Sequence, residues 1–347
     1  MVLKGRYPPF VLLLLARLRE LVREPEGVFW AFFFPIAIAI GLGLAFPSRP
    51  TDDVIVGVIE SPYTSRLLLD LKAGGIKRVR VLADPEATQQ LLLGAVSIVV
   101  VPGTEIEYRF DLERPEGVLS RHLVDGILQR SAGRIDSFDP HDKVSQGVGA
   151  RYIDFLIPGL LGLNIMSGGM WGVGFVLVQM RSHKLLKLLV VTPMRRTDFL
   201  GAICVSRLIL VLLQLVILLL FGRIVFDMNI RGSMWTITLI ALLGGMVFCG
   251  LGLLVGSRTA KLETASGLMN LVMLPMSVLS GIFFSSERFP AWSQAFVRVL
   301  PLTALNNALR GTILAGADLK SQSGNLLILG GWALLSSLLA LRLFRWN

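Results

Sequence analysis

Few side chains in this 347-residue sequence are spaced for chemistry. His122 and His141 have no His, Cys or carboxylate neighbours at metal-ligand spacing. Asp52 with Asp53, and Asp139 with Asp142, could share general acid and base work. Adjacent acids of this kind ordinarily mark a solvated loop. No G-x-G-x-x-G or G-x-x-x-x-G-K-[ST] follows a strand-like run, so nothing is expected to cradle a phosphate. Cys204 and Cys249 both fall inside apolar runs, which leaves the large polar segment without a disulfide. What stands out instead is "RSHKLLKLLVVTPMRRTDFL" (181–200), a greasy centre inside a charged border. A helix from Arg181 to Val191 would put Leu185, Leu188 and Leu189 on one face with Lys184 and Lys187 alongside. That is the composition of an interface core with a polar rim. Thr192 and Pro193 would stop the helix, because proline lacks a backbone donor and disfavours the α region in the residue before it. Arg195 and Arg196 could then face lipid phosphates or acidic partner side chains. A purely interfacial helix held by anionic lipid would explain the charges but not the rigid stop. The chemistry expected is docking.

The elements that must hold this strip are membrane helices. The chain is 53% hydrophobic and 17% charged, with a mean hydropathy of +0.67, outside the range of soluble domains. A spanning helix needs about 20 mostly apolar residues, and six runs qualify: 28–46, 155–178, 199–222, 233–256, 264–284 and 325–344. The N-terminal "FVLLLLA" is too short for a signal peptide and runs into "RLRELVRE" without a cleavage site. Residues 10–24 fit an amphipathic helix on the cytoplasmic membrane surface, with Leu14, Leu18, Leu21 and Val22 on one side. With the N-terminus inside, the short cytoplasmic segments hold fourteen Lys and Arg against five acids, whereas the outside is neutral. The net charge of +10 therefore reflects topology, and no nucleic-acid partner is implied.

Between the first two spans, "VIVGVIE", "RVRVLA" and "VSIVVVP" read as buried strands, with "SRLLLDLKAGG" and "DPEATQQLLLGA" as helices between them. Asp84 is the expected N-cap of the second helix. A fourth strand (105–113) and a helix (115–133) complete a small α/β domain over 47–151. In the second span Gly168 and Gly172 make a small-xxx-small face for close helix approach, a spacing repeated by Gly252 and Gly256. Residues 274–311 are too apolar for a free loop and too interrupted for a span. A short pair of re-entrant helices near the outer face fits them. Intramembrane Arg207 is expected to snorkel to the inner headgroups; Asp154 lies at the wrong end to pair with it. Asn164, Ser167, Gln214 and Asn270 are candidate cavity-lining groups.

Five stretches in this order, "YIDFLIPGLLGLNIM", "LLVVTPMRRTDFL", "GLGLLVGSR", "MLPMSVLSGIFFSSERFP" and "LPLTALNNALR", carry a resemblance. The chain resembles the permease subunits of ABC-2-type exporters, a class that includes bacterial multidrug-export permeases. The resemblance implies two permease chains working with two ATP-binding cassette subunits that bind ATP and Mg, this chain binding no cofactor itself. It implies a coupling helix within 181–196, with Lys187, Leu188, Thr192 and Pro193 at the recurring positions. The family's glutamate ahead of that arginine is replaced here by Gln179 and Met180. It also implies an outer gate of Pro275, Ser280, Gly281, Phe283 and Phe284, with Pro290 and Pro301 in the re-entrant segment (285–311).

The expectation is thus a polytopic α-helical protein with six transmembrane helices and a small α/β extracytoplasmic domain between helices 1 and 2. It would be a non-enzymatic homodimeric permease in the plasma (inner) membrane, surrounded by lipid, with both termini cytoplasmic. Its cargo would be drug-like, with a lipid or glycan precursor as the alternative. A membrane sensor reading a ligand through the outer domain is the alternative of another class; it would be expected to carry a cytoplasmic output domain, and the longest cytoplasmic stretch is under thirty residues.

Overall fold

The computed structural model describes residues 8–45, 54–103, 105–135, 138, 151–186, 195–259 and 261–343. These fall into two compact units, one formed by 1–46 with 146–347 and the other by 47–145.

The smaller unit contains strands β1 (Ile55–Ile59), β2 (Arg78–Leu82), β3 (Ile98–Val101) and β4 (Glu107–Arg109), in the sheet order β2-β1-β3-β4. β1 runs parallel to β2 and β3, and β4 is antiparallel to β3. Pleat alternation sends Val56, Val58, Ile98 and Val100 to one face, against Leu67 and Leu71 of a helix at Thr64–Ala73 and Val124 and Leu128 of another at Pro115–Ser131. The other face packs Leu82 and Val99 on Ala87 of a helix at Asp84–Leu92. Two expectations change. β2 is an edge strand with Arg78 and Arg80 exposed, and the fourth strand shrinks to three residues. Asp84 is not the cap: Ala83 is, and the Asp84 carboxylate instead accepts from Arg109 Nη1 on β4. Tyr108 donates to Asp125 Oδ1 at 3.2 Å, and burial together with that carboxylate pushes the phenol up to about 12.

The larger unit is helical. We number its helices α1 (Pro9–Arg23), α2 (Pro25–Ala45), α3 (Tyr152–Ser182), α4 (Arg196–Phe226), α5 (Met234–Gly256), α6 (Leu262–Leu279), α7 (Ala291–Val299), α8 (Pro301–Ala315) and α9 (Ser323–Leu343). Among the described residues, six helices are long and apolar enough to cross a membrane, and they coincide with the six apolar runs to within a few residues. α3 and α5 form the centre, two-thirds and three-fifths buried, and the others surround them. Their contact is built on glycine, with Gly252 and Gly256 of α5 as expected but without the expected Gly168 and Gly172 of α3. Gly168 has no neighbour where a Cβ would stand. Gly169 and Gly174 meet Gly252 and Gly256 instead, and a Cβ at Gly256 would come 2.9 Å from the Gly174 carbonyl. α1 is helical as expected, and it packs along α4 with Leu13 against a cluster containing Phe199 and Leu200, so it belongs to the bundle.

Two of the spanning helices are interrupted by π turns, Phe29–Phe33 in α2 and Met170–Phe175 in α3. A π turn puts one extra residue into the ladder and lets a carbonyl swing toward a side chain.

Candidate transport site

Both π turns border one cavity of about 960 Å3 among α1, α2, α3, α4 and α5. In α2 the carbonyl of Ala31 accepts from Asn164 Nδ2 of α3 and from Gln214 Nε2 of α4, each at 3.4 Å. In α3 the carbonyl of Gly172 accepts from Arg207 Nε of α4 at 2.9 Å. A Cβ at Gly172 would overlap that guanidinium, so glycine there makes the approach possible. Unpaired polar groups in an apolar medium cost several kcal/mol. These three bonds therefore fix three helices around the cavity.

The walls are aromatic and small: the half-buried Phe34 on α2, Trp171 and Phe175 on α3, with Ser167 and Gly168 between and the exposed Trp30 at the edge. The rim is charged. Arg17, Glu20, Glu24 and Glu26 line it, and Arg17 pairs with Glu20 at 2.6 Å.

Of the four candidate polar groups, Asn164, Ser167 and Gln214 line this cavity and Asn270 does not. It stands on the exposed side of α6, because that helix turns only its Ala265, Met269, Met273 and Met276 stripe inward. Arg207 does not snorkel outward; it is held inside by Gly172. Asp154 is paired elsewhere, receiving Arg151 Nε and Nη2 at 3.0 Å each.

The strip after α3 departs from a continuous helix. α3 ends at Ser182 and Lys184 adopts φ +59°, so no single helix runs from Arg181 to Val191. Arg181 is engaged within the bundle. Its guanidinium donates to the carbonyls of Gly256 and Thr259 at 2.7 Å and Ser257 at 3.1 Å, satisfying acceptors at the end of α5 that have no helical partner. Lys184, Leu185 and Arg195 are exposed, whereas Leu186 is buried beside Phe199. Arg196 begins α4. Lys187, Leu188, Leu189, Thr192 and Pro193 lie outside the described residues.

At the far end of α6, Gly281 takes φ +70° and turns the chain into a 3-10 turn and then α7 and α8, the expected pair of short helices. Asn306 and Arg310, one turn apart on α8, staple this segment. Asn306 Nδ2 donates to Ser280 O at 3.0 Å, and Arg310 donates to the carbonyls of Gly281, Ile282 (3.3 Å) and Phe155 (3.1 Å). The Arg310 guanidinium also lies 3.5 Å over the Phe155 ring. Gly159 and Gly162 of α3 leave room for these two side chains. Of the expected gate residues, Ser280, Gly281 and Pro301 are buried at this junction, and Phe283 packs on the core. Phe284 meets Phe289 at 5.9 Å, and Pro275 and Pro290 stand on exposed sides. Asn306 and Arg310 were absent from the sequence-based candidates. The signal was present, since an arginine four residues after an asparagine in an apolar helix calls for a partner. The carbonyls of Ala31 and Gly172 carried no signal of their own.

Long apolar helices around a cavity with buried amide and guanidinium groups define a multi-pass membrane protein. Residues 25–342 match the family model described as ABC-2 family transporter protein, and the chain belongs to that family. It is 24% identical over 332 residues to the "Probable multidrug ABC transporter permease YbhS" of Escherichia coli strain K12, with 86% of each chain covered. It is 27% identical over 171 residues to ABC transporter G family member 20 of Dictyostelium discoideum, a match that takes in 49% of this chain and 23% of that protein's length.

Proposed function

We propose that this chain is the membrane-spanning subunit of an ATP-driven exporter that moves an apolar or amphipathic, drug-like substrate out of the cytoplasm. The observation that carries the reading is the cavity of about 960 Å3, aromatic inside and tied by Asn164, Gln214 and Arg207, in a chain of the ABC-2 family. Its size lies at the upper end of the roughly 300–1,000 Å3 usual for small-molecule sites. The name of the Escherichia coli relative supports a drug-like cargo.

In this reading two copies assemble in the plasma (inner) membrane with two ATP-binding cassette subunits, which bind ATP and Mg and hydrolyse ATP. The excess of Lys and Arg in short loops supports cytoplasmic termini and an extracytoplasmic position for residues 47–151. Residues 181–196 dock on the ATP-binding subunit, and Arg181 passes their displacement to the end of α5. ATP binding then shifts a two-state equilibrium between inward-open and outward-open forms. Release occurs past the segment around Gly281, Phe283 and Phe284.

The test is to co-purify the tagged chain with its ATP-binding subunit and measure hydrolysis and transport together. Leu188→Asp is expected to uncouple hydrolysis from transport without unfolding the chain, and normal transport by that variant would sink the docking role. A cysteine at Ser97 should label from outside and one at Ser182 only after permeabilisation; the reverse pattern would overturn the topology.

A further inference from the structure

We infer that the cavity selects amphipathic anions, with Arg207 as the anchor for a phosphate or carboxylate head group and the aromatic wall as the seat of the apolar tail. The inference deepens the proposed transport function and rests on the same cavity. Among the described residues Arg207 makes one hydrogen bond, from Nε to Gly172. That bond engages Nε; among the described residues Nη1 and Nη2 make no hydrogen bond, and Arg207 lines the cavity. Two parallel N–H groups on a planar cation match a carboxylate or phosphate in a forked arrangement.

The sign of the site is decided by depth. Glu20, Glu24 and Glu26 also line the cavity, but all three are exposed and Glu20 is already paired with Arg17. Exposed charges are screened by water and salt, whereas Arg207 is half-buried and lines the cavity with the half-buried Trp171 and Phe175, where screening is weaker. The interior therefore presents a half-buried positive group against an apolar wall, with Arg17, Glu20 and Glu24 near enough to act on it electrostatically. A charged residue within a membrane helix ordinarily has a partner or lies on a pathway, and Asp154, the acid in the neighbouring helix, is spent on Arg151. An incoming anion supplies the missing partner.

The experiment uses the full-length chain in nanodiscs of phosphatidylcholine and measures equilibrium binding of dodecyl phosphate and dodecyltrimethylammonium. The wild-type protein is expected to bind the anion at least about tenfold more tightly, the size of one charge-assisted contact. Arg207→Gln should remove the preference and Arg207→Lys should keep part of it. Equal affinities in the wild type, or a stronger cation, would overturn the inference even if Arg207→Gln failed to fold; an unchanged preference in Arg207→Gln would overturn it as well. Repeating the titration with phosphatidylglycerol in the disc separates the two sources of the head group. Competition by that lipid assigns the site to membrane lipid, and undiminished binding assigns it to a free amphiphile. Because binding is measured without ATP or a partner subunit, anion selectivity without transport would refute the exporter reading and leave this one standing.

Discussion

Replacing Arg310 with methionine should open the junction between α8, α3 and the turn at Gly281. The wild-type guanidinium serves three carbonyls and covers the Phe155 ring. Each buried acceptor left without a donor costs about 1–3 kcal/mol. Phe155 O lies within α3 and has helical bonding to fall back on, so the two turn carbonyls dominate. Lost cation–π contact adds about 0.5–2 kcal/mol, while removing a buried charge returns part of its desolvation cost. The balance is a local destabilisation of roughly 2–4 kcal/mol, which raises the open population about 30- to 1,000-fold at about 1.4 kcal/mol per factor of ten. Ile282 is fully buried at this junction and reports the opening directly. With Cys204 and Cys249 replaced by alanine, a cysteine at Ile282 should react with maleimide faster by that factor when Arg310→Met is added. Arg310→Lys, unable to fork between carbonyls, should fall between the two. A rise of less than about fivefold in Arg310→Met would refute the argument that this arginine holds the segment shut.

Gly252→Ala should lower the thermal unfolding midpoint of the purified chain, because its Cβ would fall on the Gly169 carbonyl and force α3 and α5 apart, a strain of about 1–3 kcal/mol. An unchanged midpoint would mean that the helices separate freely. Arg181→Gln should leave an ATP-binding subunit bound but reduce transport per ATP hydrolysed, since the ties from α3 to Gly256, Ser257 and Thr259 are cut; unchanged stoichiometry counts against that coupling. Tyr108 keeps its proton in the folded state to about pH 12 against about 10 when unfolded. Its contribution to stability is therefore complete below pH 10 and lost as pH rises through 12. Absorbance at 295 nm should show a late-titrating phenol that Tyr108→Phe removes, and a wild-type titration complete near pH 10 would contradict the buried pairing with Asp125.

The six apolar runs were legible because a spanning helix is set by local composition, and the strands of the smaller unit because their β-branched runs are short and bounded by turn residues. Which way a polar residue faces within a span was not. Asn164 and Asn270 read alike in sequence, yet one binds the Ala31 carbonyl and the other stands exposed. Helices apolar all round carry no stripe to fix their rotation; the packing of glycines against neighbouring backbones fixes it instead. The bonding of Arg181 was illegible for a related reason. Its side chain is long enough to serve either a partner or the end of α5, and the choice follows from the break at Lys184, whose left-handed backbone no Gly or Asn announces. The π turns were illegible altogether, because a one-residue shift in the hydrogen-bond ladder leaves the apolar character of the span unchanged.

α3 gathers these features into one element. Its 31 residues span about 45 Å at the usual helical rise. At its N-terminal end Phe155 is held by Arg310, with Gly159 and Gly162 admitting the side chains of α8. At its C-terminal end Arg181 is tied to α5. Between these two anchors lies the π turn, where Gly172 is bonded to Arg207 rather than to a neighbouring backbone alone. A rod anchored at both ends yields where its own ladder is least regular. An occupant that engages Arg207 acts on the Gly172 bond and so on the segment joining the two anchors. In the proposed reading, a cargo held by Arg207 would act through Gly172 on the same few residues, Met170 to Phe175, that join the two anchors, and no longer path through the bundle would be required to connect them.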